Sequence, residues 1–350
     1  MRKWLAAAAA AVALSVFTLG AGGPAHAQDA VAQFYKGKQL TLYVASTPGG
    51  GYDSYGRLLG QYIGKYIPGN PTVVPQNMPG AGGNRLAAYL YSVAPKDGTQ
   101  FGIIFPGAVL DPLIGTQKVQ DDPSKLIYMG SANVETFVCI MRSDAPVKTY
   151  ADVFKTQVTL AASAAGGSTV DMPALENNLL GAKWKVVRGY PGSREISLAV
   201  EQGEAQGNCG VGVSSIEIEH PDWQTSGKYR VIAQETNKGH PLLDSLHIPL
   251  VYSFAKNDEQ RAVMELAYSQ EIFGRPFVMP PSVPKERVDA LRKAFMQALK
   301  DPDLLADAKK QRLDIEPLSG EDVQALVTKV YSMPANVVAK AKEALVYKDK

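Results

Sequence analysis

Thr47-Pro48-Gly49-Gly50-Gly51-Tyr52-Asp53 decides the fold, because it joins two segments of different period. Upstream, Leu40, Leu42 and Val44 alternate with Thr41, Tyr43 and Ala45, the period-two pattern of a strand. Downstream, Tyr55, Leu58, Leu59, Tyr62, Ile63, Tyr66 and Ile67 recur at helical spacing, predicting a helix of about four turns with one apolar face. The glycines therefore stand at a helix N-terminus. There the first backbone N–H groups lack intrahelical partners, the dipole is positive, and a ligand can approach the backbone, which suits a carboxylate or a phosphate. The plainer reading is a tight connection whose helix is capped by Asp53 or Ser54. Nucleotide binding is disfavoured: Tyr52-Asp53-Ser54 stands where a P-loop needs lysine and then Ser or Thr, and G-x-G-x-x-G spacing is absent.

Strand and helix patterns alternate along the rest of the chain, which predicts an α/β protein with parallel sheets. A strand over residues 72–75 precedes Asn77-Met78-Pro79-Gly80-Ala81-Gly82-Gly83 and a helix over 84–92, and a strand over 101–105 ends at Pro106-Gly107. The pattern then restarts with strands over 137–141 and 158–161. The second of these enters Ser163-Ala164-Ala165-Gly166-Gly167-Ser168-Thr169 and a helix carrying Val170, Ala174, Leu175 and Leu179, so strand, flexible loop, hydroxyl cap and helix occur again. A strand over 184–190 leads through Pro191-Gly192-Ser193 into a helix over 195–202, and 208–213 and 229–234 are strand-like. Helices are expected over 258–267, 285–299 and 302–311, with a last one from Glu321. Residues 271–279 read as one long strand stopping at Pro280-Pro281. Two similar halves facing each other leave a cleft. The chain is expected to cross between them near Gly130 and Ser269, giving a first lobe of 28–130 plus 269–350 and a second of 131–268.

Arg2 and Lys3 precede an apolar run from Leu5 to about Leu19, and Ala25-His26-Ala27 supplies a small-x-small exit, the pattern of a secretory signal peptide over residues 1–27 cleaved near Ala27. The location expected is the periplasm. No cysteine follows the exit closely, and no later stretch reaches roughly 20 apolar residues. Loss of Arg2 and Lys3 with no acidic residue takes the formal charge from +2 to 0, which gives no case for nucleic acid or an anionic membrane surface. Cys139 and Cys209, the only two cysteines, both lie in apolar strand-like runs; they are either bridged or two buried thiols, and an exported protein favours the bridge. Beyond the leader only His220, His240 and His247 remain, without ligand-spaced partners, so no metal and no cofactor is expected.

Single residues are weighed in the same way. Asp53 suits a helix cap and loop organiser better than a ligand contact, since its charge repels a carboxylate, and Arg57 one turn on is its ion-pair partner. Tyr55, Tyr62 and Tyr66 at helical spacing make a packed face rather than a phenolate iron site. Arg188 and Arg194 are read as solvated surface. Tyr52 and Tyr190 offer ring faces that suit an aromatic or extended dicarboxylate. Ser168 or Ser193 as a nucleophile needs a base, yet neither has a histidine near in sequence or sits in a G-x-S-x-G elbow.

In order along the chain, Pro48-Gly49-Gly50-Gly51-x-Asp53 with Arg57, Gln76-Asn77-x-Pro79-Gly80-Ala81-Gly82-Gly83, Pro95-Lys96-Asp97-Gly98-Thr99, Gly166-Gly167-Ser168-Thr169, Gly189-Tyr190-x-Gly192, Gly203-Glu204-x-x-Gly207 and Pro280-Pro281 before Val283-Pro284 resemble the Bug-type periplasmic receptors of tripartite tricarboxylate transporters. The resemblance implies a two-lobed type II periplasmic-binding-protein fold closing on a small organic anion, usually a carboxylate. It also implies a monomeric, non-enzymatic receptor that delivers its ligand to the membrane permease subunits of a secondary transporter. A sensory receptor presenting the same loaded state, and less readily a secreted serine-dependent transferase or hydrolase, are the alternatives. By the same resemblance the ligand-contacting positions are Thr47, Pro48, Gly49, Gly50, Gly51 and Tyr52 in one loop and Gly166, Gly167, Ser168 and Thr169 in the other; Asp53 and Tyr190 join them as loop neighbours. The chain departs from the family pattern at Tyr52 and at Tyr190-Pro191-Gly192, where many relatives carry a smaller residue and a tyrosine-lysine-glycine turn.

Overall fold

A computed structural model describes residues 24–115 and 122–348. The expected leader, 1–27, lies outside the described residues apart from its last four positions. Helix α1 (Pro24–Tyr35) leads into β1 (Gln39–Val44), in which Leu40, Leu42 and Val44 are fully buried, as the alternation requires. Helix α2 (Gly51–Ile63) buries Tyr55, Leu58, Leu59 and Ile63 on that strand's sheet, and its expected fourth turn tightens into a 3₁₀ turn over Gly64–Tyr66. Each such side chain contributes on the order of 1.5–3 kcal/mol by leaving water. There follow β2 (Thr72–Asn77), α3 (Asn84–Ser92), β3 (Gln100–Ile103), α4 (Pro106–Ile114) and β4 (Ile127–Ser131).

The second half holds β5 (Phe137–Arg142), β6 (Val158–Ala162), α5 (Ser168–Leu179), β7 (Trp184–Arg188), α6 (Ser193–Glu201), β8 (Gly207–Gly212), α7 (Val213–Glu219) and β9 (Tyr229–Gln234). After the short α8 (Pro241–Ser245) come α9 (Asp258–Tyr268), α10 (Gln270–Phe273) and β10 (Pro276–Met279). The chain then runs through α11 (Lys285–Ala298), α12 (Pro302–Gln311), β11 (Leu318–Ser319), α13 (Gly320–Tyr331) and α14 (Ala335–Ala344).

Two sheets result, one ordered β11-β4-β10-β3-β1-β2 and the other β7-β6-β8-β5-β9. Both are mixed rather than parallel. β1 runs parallel to β2 and β3, and β6 to β7 and β8, as the strand–helix alternation predicts. The strands flanking each passage between sheets break the rule: β10 is antiparallel to β3 and β4, and β5 to β8 and β9. The chain passes from first sheet to second between Ser131 and Phe137 and returns between Gln234 and Pro276.

Three elements differ from the sequence reading. The long strand expected over 271–279 is instead α10, a sharp bend and the short β10. Gly274 bends at φ 49, and a Cβ there would stand 1.9 Å from the Asn133 carbonyl oxygen, so only glycine passes beneath the connecting segment. Helix α4 follows β3 directly, with Pro106 at its first position. Helix α14 closes the chain by packing against α4, α5 and α9. Asn178 Nδ2 donates to the carbonyls of Ala344 and Val346, and the Val186 N–H donates to Tyr347 Oη. The tail thus touches both halves, α4 in the first and α5 and α9 in the second. No helix among the described residues is long and apolar enough to cross a membrane.

Candidate functional site

The loop leaving β1 meets the starts of α6 and α7 across the cleft, while the loop leaving β6 meets Gly82 and Gly107 of the first half. Asp53, in the first turn of α2, organises the first loop: Oδ2 accepts the Gly49 N–H at 2.8 Å and Arg57 Nε at 2.8 Å, while Oδ1 accepts Asn77 Nδ2 at 2.8 Å. Burial pushes its carboxyl up, but the hydrogen bonds from Arg57, Gly49 and Asn77 outweigh it and hold the group below the usual range. Asp53 remains an anion turned into its own loop.

The first loop is pressed onto the opposite lobe. Thr47 Oγ1 donates to Glu195 Oε2 at 2.8 Å. A Cβ at Gly50 would lie 2.5 Å from Ser193 Oγ, and one at Gly51 2.5 Å from Ser215 Oγ. The lobes are closed on one another. Between them remains a cavity of about 50 Å³, within about 520 Å³ of free space when its mouth is included.

Of the twelve expected ligand positions, the cavity wall contains Tyr52, Gly167, Ser168 and Thr169. Thr47, Pro48, Gly49, Gly50, Gly51 and Asp53 lie outside the wall, and Thr47, Gly50 and Gly51 are themselves the face docked on the opposite lobe. Gly166 packs against Asn84 and Asp111. Tyr190 packs beside Ile196 and Ala199, donates its hydroxyl to Glu204 at 3.0 Å, and lines a separate surface hollow. The Tyr52 ring stands 4.0 Å from the Arg275 guanidinium and 4.4 Å from the Phe105 ring, centroid to centroid for the latter. Those contacts take up part of the ring surface of Tyr52, which still lines the cavity.

The second loop carries its donors differently from expectation. Ser168 Oγ donates to the Gly210 carbonyl at 2.7 Å, and Thr169 Oγ1 accepts the Ser163 N–H at 3.0 Å, so both hydroxyls hold the loop. What α5 offers the cavity is its N-terminal backbone. The start of α6 adds Gly192 and Ser193, and Ser193 Oγ is buried without a partner. Sequence reasoning placed Pro191-Gly192-Ser193 at a helix start, the signal that finds it. Asn208, Ser215 and Arg275 also line the cavity, and nothing in their local sequence marks them. No histidine, lysine or carboxylate is in the wall.

Away from the cavity, Cys139 and Cys209 are bonded to each other across β5 and β8. With Glu235 they are the one grouping of three metal-type ligands among the described residues, and both sulfurs are taken up in the bridge.

Two carboxyls meet beneath the second loop, Asp111 of α4 and Asp171 of α5. Asn84 Nδ2 donates to Asp111 Oδ2 at 2.6 Å, and the Gly166 N–H to Asp171 Oδ1 at 3.1 Å. Burial pushes Asp111 up to about 6; burial and the Asp111 charge push Asp171 up to about 8. Native pKa values above the unfolded ones mean that the folded chain holds protons the unfolded chain has released. Stability therefore falls as pH rises from about 4 to about 8 and levels off above. The melting temperature of the wild type is expected to drop between pH 5 and pH 8.5, and Asp171→Asn to make that drop shallower. Equal slopes for wild type and variant in a calorimetric pH series would count against the assignment.

Comparison with solved structures places this geometry in a known class, the two-lobed α/β fold of periplasmic binding proteins. The periplasmic binding protein BugD superposes with a TM-score of 0.70 at 20% identity, covering 89% of this chain and 98% of its own. MatC from Rhodopseudomonas palustris, solved with bound malate, gives 0.68 at 18% identity over 88% and 99%. The R. palustris protein Rpa4515, solved with adipate, gives 0.67 at 21% over 87% and 97%. At these identities the likeness establishes the fold. No protein-family model and no curated protein sequence matches the chain.

Proposed function

We propose that the protein is a periplasmic solute receptor that binds a small organic carboxylate between its lobes and passes it, unreacted, to the permease of a tripartite tricarboxylate-type transporter. The observation that carries this reading is the cavity wall: helix N-termini from α5 and α6, one buried arginine, and no group able to act as a general base. Charge-assisted hydrogen bonds of roughly 1.5–3 kcal/mol each offset the hydration a carboxylate gives up, and micromolar affinity needs only about 8 kcal/mol net. The malate and adipate bound in two structural neighbours agree with an acid of a few carbons. Residues 28–130 with the returning segment 269–334 make the first lobe in this reading, 131–268 the second, and α14 straps them together. The contacts around Tyr52, Phe105 and Arg275 favour a compact aliphatic acid. A thermal-shift screen across aliphatic mono- and dicarboxylates, citrate-like acids, aromatic acids and amino acids tests it, since a ligand at 100 times its Kd adds about 2.7 kcal/mol to stability. A melting temperature unmoved by every organic acid would overturn the proposal.

A further inference from the structure

We infer that closing the lobes takes up a proton at a carboxyl pair shared between them, Asp111 and Asp171, so that ligand affinity falls as pH rises; this rests on the solute-receptor reading above. The pair straddles the boundary. Asp111 is on α4, which follows β3 of the first sheet, and Asp171 is on α5, which follows β6 of the second. Gly166 of the second loop touches both: its N–H donates to Asp171 Oδ1 at 3.1 Å, and a Cβ on it would stand 3.2 Å from Asp111 Oδ2. The loop is docked tightly on the first half. A Cβ at Gly107 would lie 2.1 Å from the Gly166 carbonyl oxygen, and one at Gly82 2.7 Å from the Gly167 nitrogen.

In this closed arrangement Asp111 is 3% exposed and Asp171 8%. Each accepts one hydrogen bond, from Asn84 and from Gly166, and Asp111 Oδ1 is buried with no partner. Two carboxylates so sparsely compensated do not both stay ionised out of water. Their surroundings do not offset this. Lys342 of α14 lowers Asp111 only from an exposed position, and the Tyr331 phenol of α13, which donates to the Val109 carbonyl, is pushed up by burial and stays neutral. Beside α4, Asp122 and Lys125 pair with each other, α10 presents the uncharged Gln270, and Glu271 turns to Thr236 and Asn237. Against α5, β8 carries no charged residue and Lys185 and Arg188 of β7 are exposed. On α9 and α14, Asp258 pairs with Arg261 and Glu259 with Lys340, while Glu265 and Glu343 are exposed.

When the lobes part, Gly166 leaves α4, water reaches the pair and the two charges separate. A solvated aspartate titrates near about 4. Closure pushes Asp171 up to about 8, so between those values the closed form holds a proton that the open form has released. The closed form is fully favoured below the lower value and loses that preference as pH rises through the upper one. A ligand that binds the closed form therefore draws in a proton, and a rise in pH promotes its release.

Calorimetry with succinate, malate and adipate as probes, in buffers of different ionisation enthalpy, counts the protons taken up. The wild type is expected to take up about one proton per ligand at about pH 7 and few at about pH 9, with affinity falling at least about tenfold between about pH 6 and about pH 8. Asp171→Asn stands in for the protonated acid. It should lose most of the uptake and bind at least about tenfold more tightly than the wild type at about pH 8.5, the reverse of what a damaged fold does. Asp111→Asn removes the charge that raises Asp171, so its uptake at about pH 7 should be smaller and its affinity should fall at lower pH. Binding without proton uptake by the wild type, or uptake unchanged in D171N, overturns this inference and leaves the receptor reading standing. No heat from any probe, with no acid of the thermal-shift panel moving the melting temperature, overturns the receptor reading and this inference with it.

Discussion

Gly50→Val is expected to weaken ligand binding by roughly 5- to 150-fold while leaving the fold intact. The backbone at Gly50 is extended (φ −88, ψ 173), a conformation that valine adopts without strain, so the loop can still form. The conflict lies across the cleft. A Cβ at this position would stand 2.5 Å from Ser193 Oγ, with Arg194 N and Glu219 Oε1 at 3.7 Å behind it, and valine adds two methyl groups beyond that. Overpacking of this kind costs about 1–3 kcal/mol, borne by the closed state alone because the open lobes have no contact here. Since the ligand is held between closed lobes, affinity should fall by roughly 5- to 150-fold. Titration calorimetry with the acid giving the largest thermal shift reads the affinity, and small-angle scattering reads the accompanying shift towards an open shape. Ser193→Gly in the same chain makes room and should restore part of the loss. Wild-type affinity in G50V would mean that closure at this contact is not needed for binding.

The fold was legible where one strand or helix carries its own period. The alternation in β1, the apolar face of α2 and the repeat of strand, glycine loop and helix at β6 and α5 predict both faces of the cleft. What escaped depends on partners distant in sequence. Arg275 sits in a run whose Phe273, Phe277, Val278 and Met279 look like an uninterrupted strand, and only the pressing of Gly274 beneath Asn133 turns it into helix, bend and strand. The antiparallel strands β5 and β10 could not be read, because direction follows from where the chain crosses between sheets. The first-loop positions fell outside the cavity for a related reason: helix N-termini can bind an anion or pack against another lobe, and Ser193 and Ser215, far along the chain, decide for packing. Tyr190 shows the same limit, since Glu204 and Ile196 draw it away from the cleft.

Removing the Cys139–Cys209 bridge should produce the largest loss of stability of any change outside the cleft. The bond closes a loop with a sequence separation of 70, and both residues are fully buried on neighbouring antiparallel strands of the second sheet. In the chain-entropy description, a loop of that length removes about 4 kcal/mol of disorder from the unfolded chain. The double variant Cys139→Ala, Cys209→Ala forgoes that contribution, and its melting temperature is expected to fall by on the order of 10 °C. Because the sulfurs are shielded, a dithiol should not reproduce the effect on native protein but should lower the denaturation midpoint once urea opens the second lobe. The consequence reaches the ligand as well. β8 carries Asn208, Gly210 and Gly212 into the cavity wall on either side of Cys209, and the Gly210 carbonyl anchors the Ser168 hydroxyl. Loosening that strand should therefore weaken binding several-fold at temperatures where the variant is still folded. A stability change under about 1 kcal/mol would show that strand pairing, rather than the covalent link, fixes this wall, since losing a native bridge ordinarily costs more.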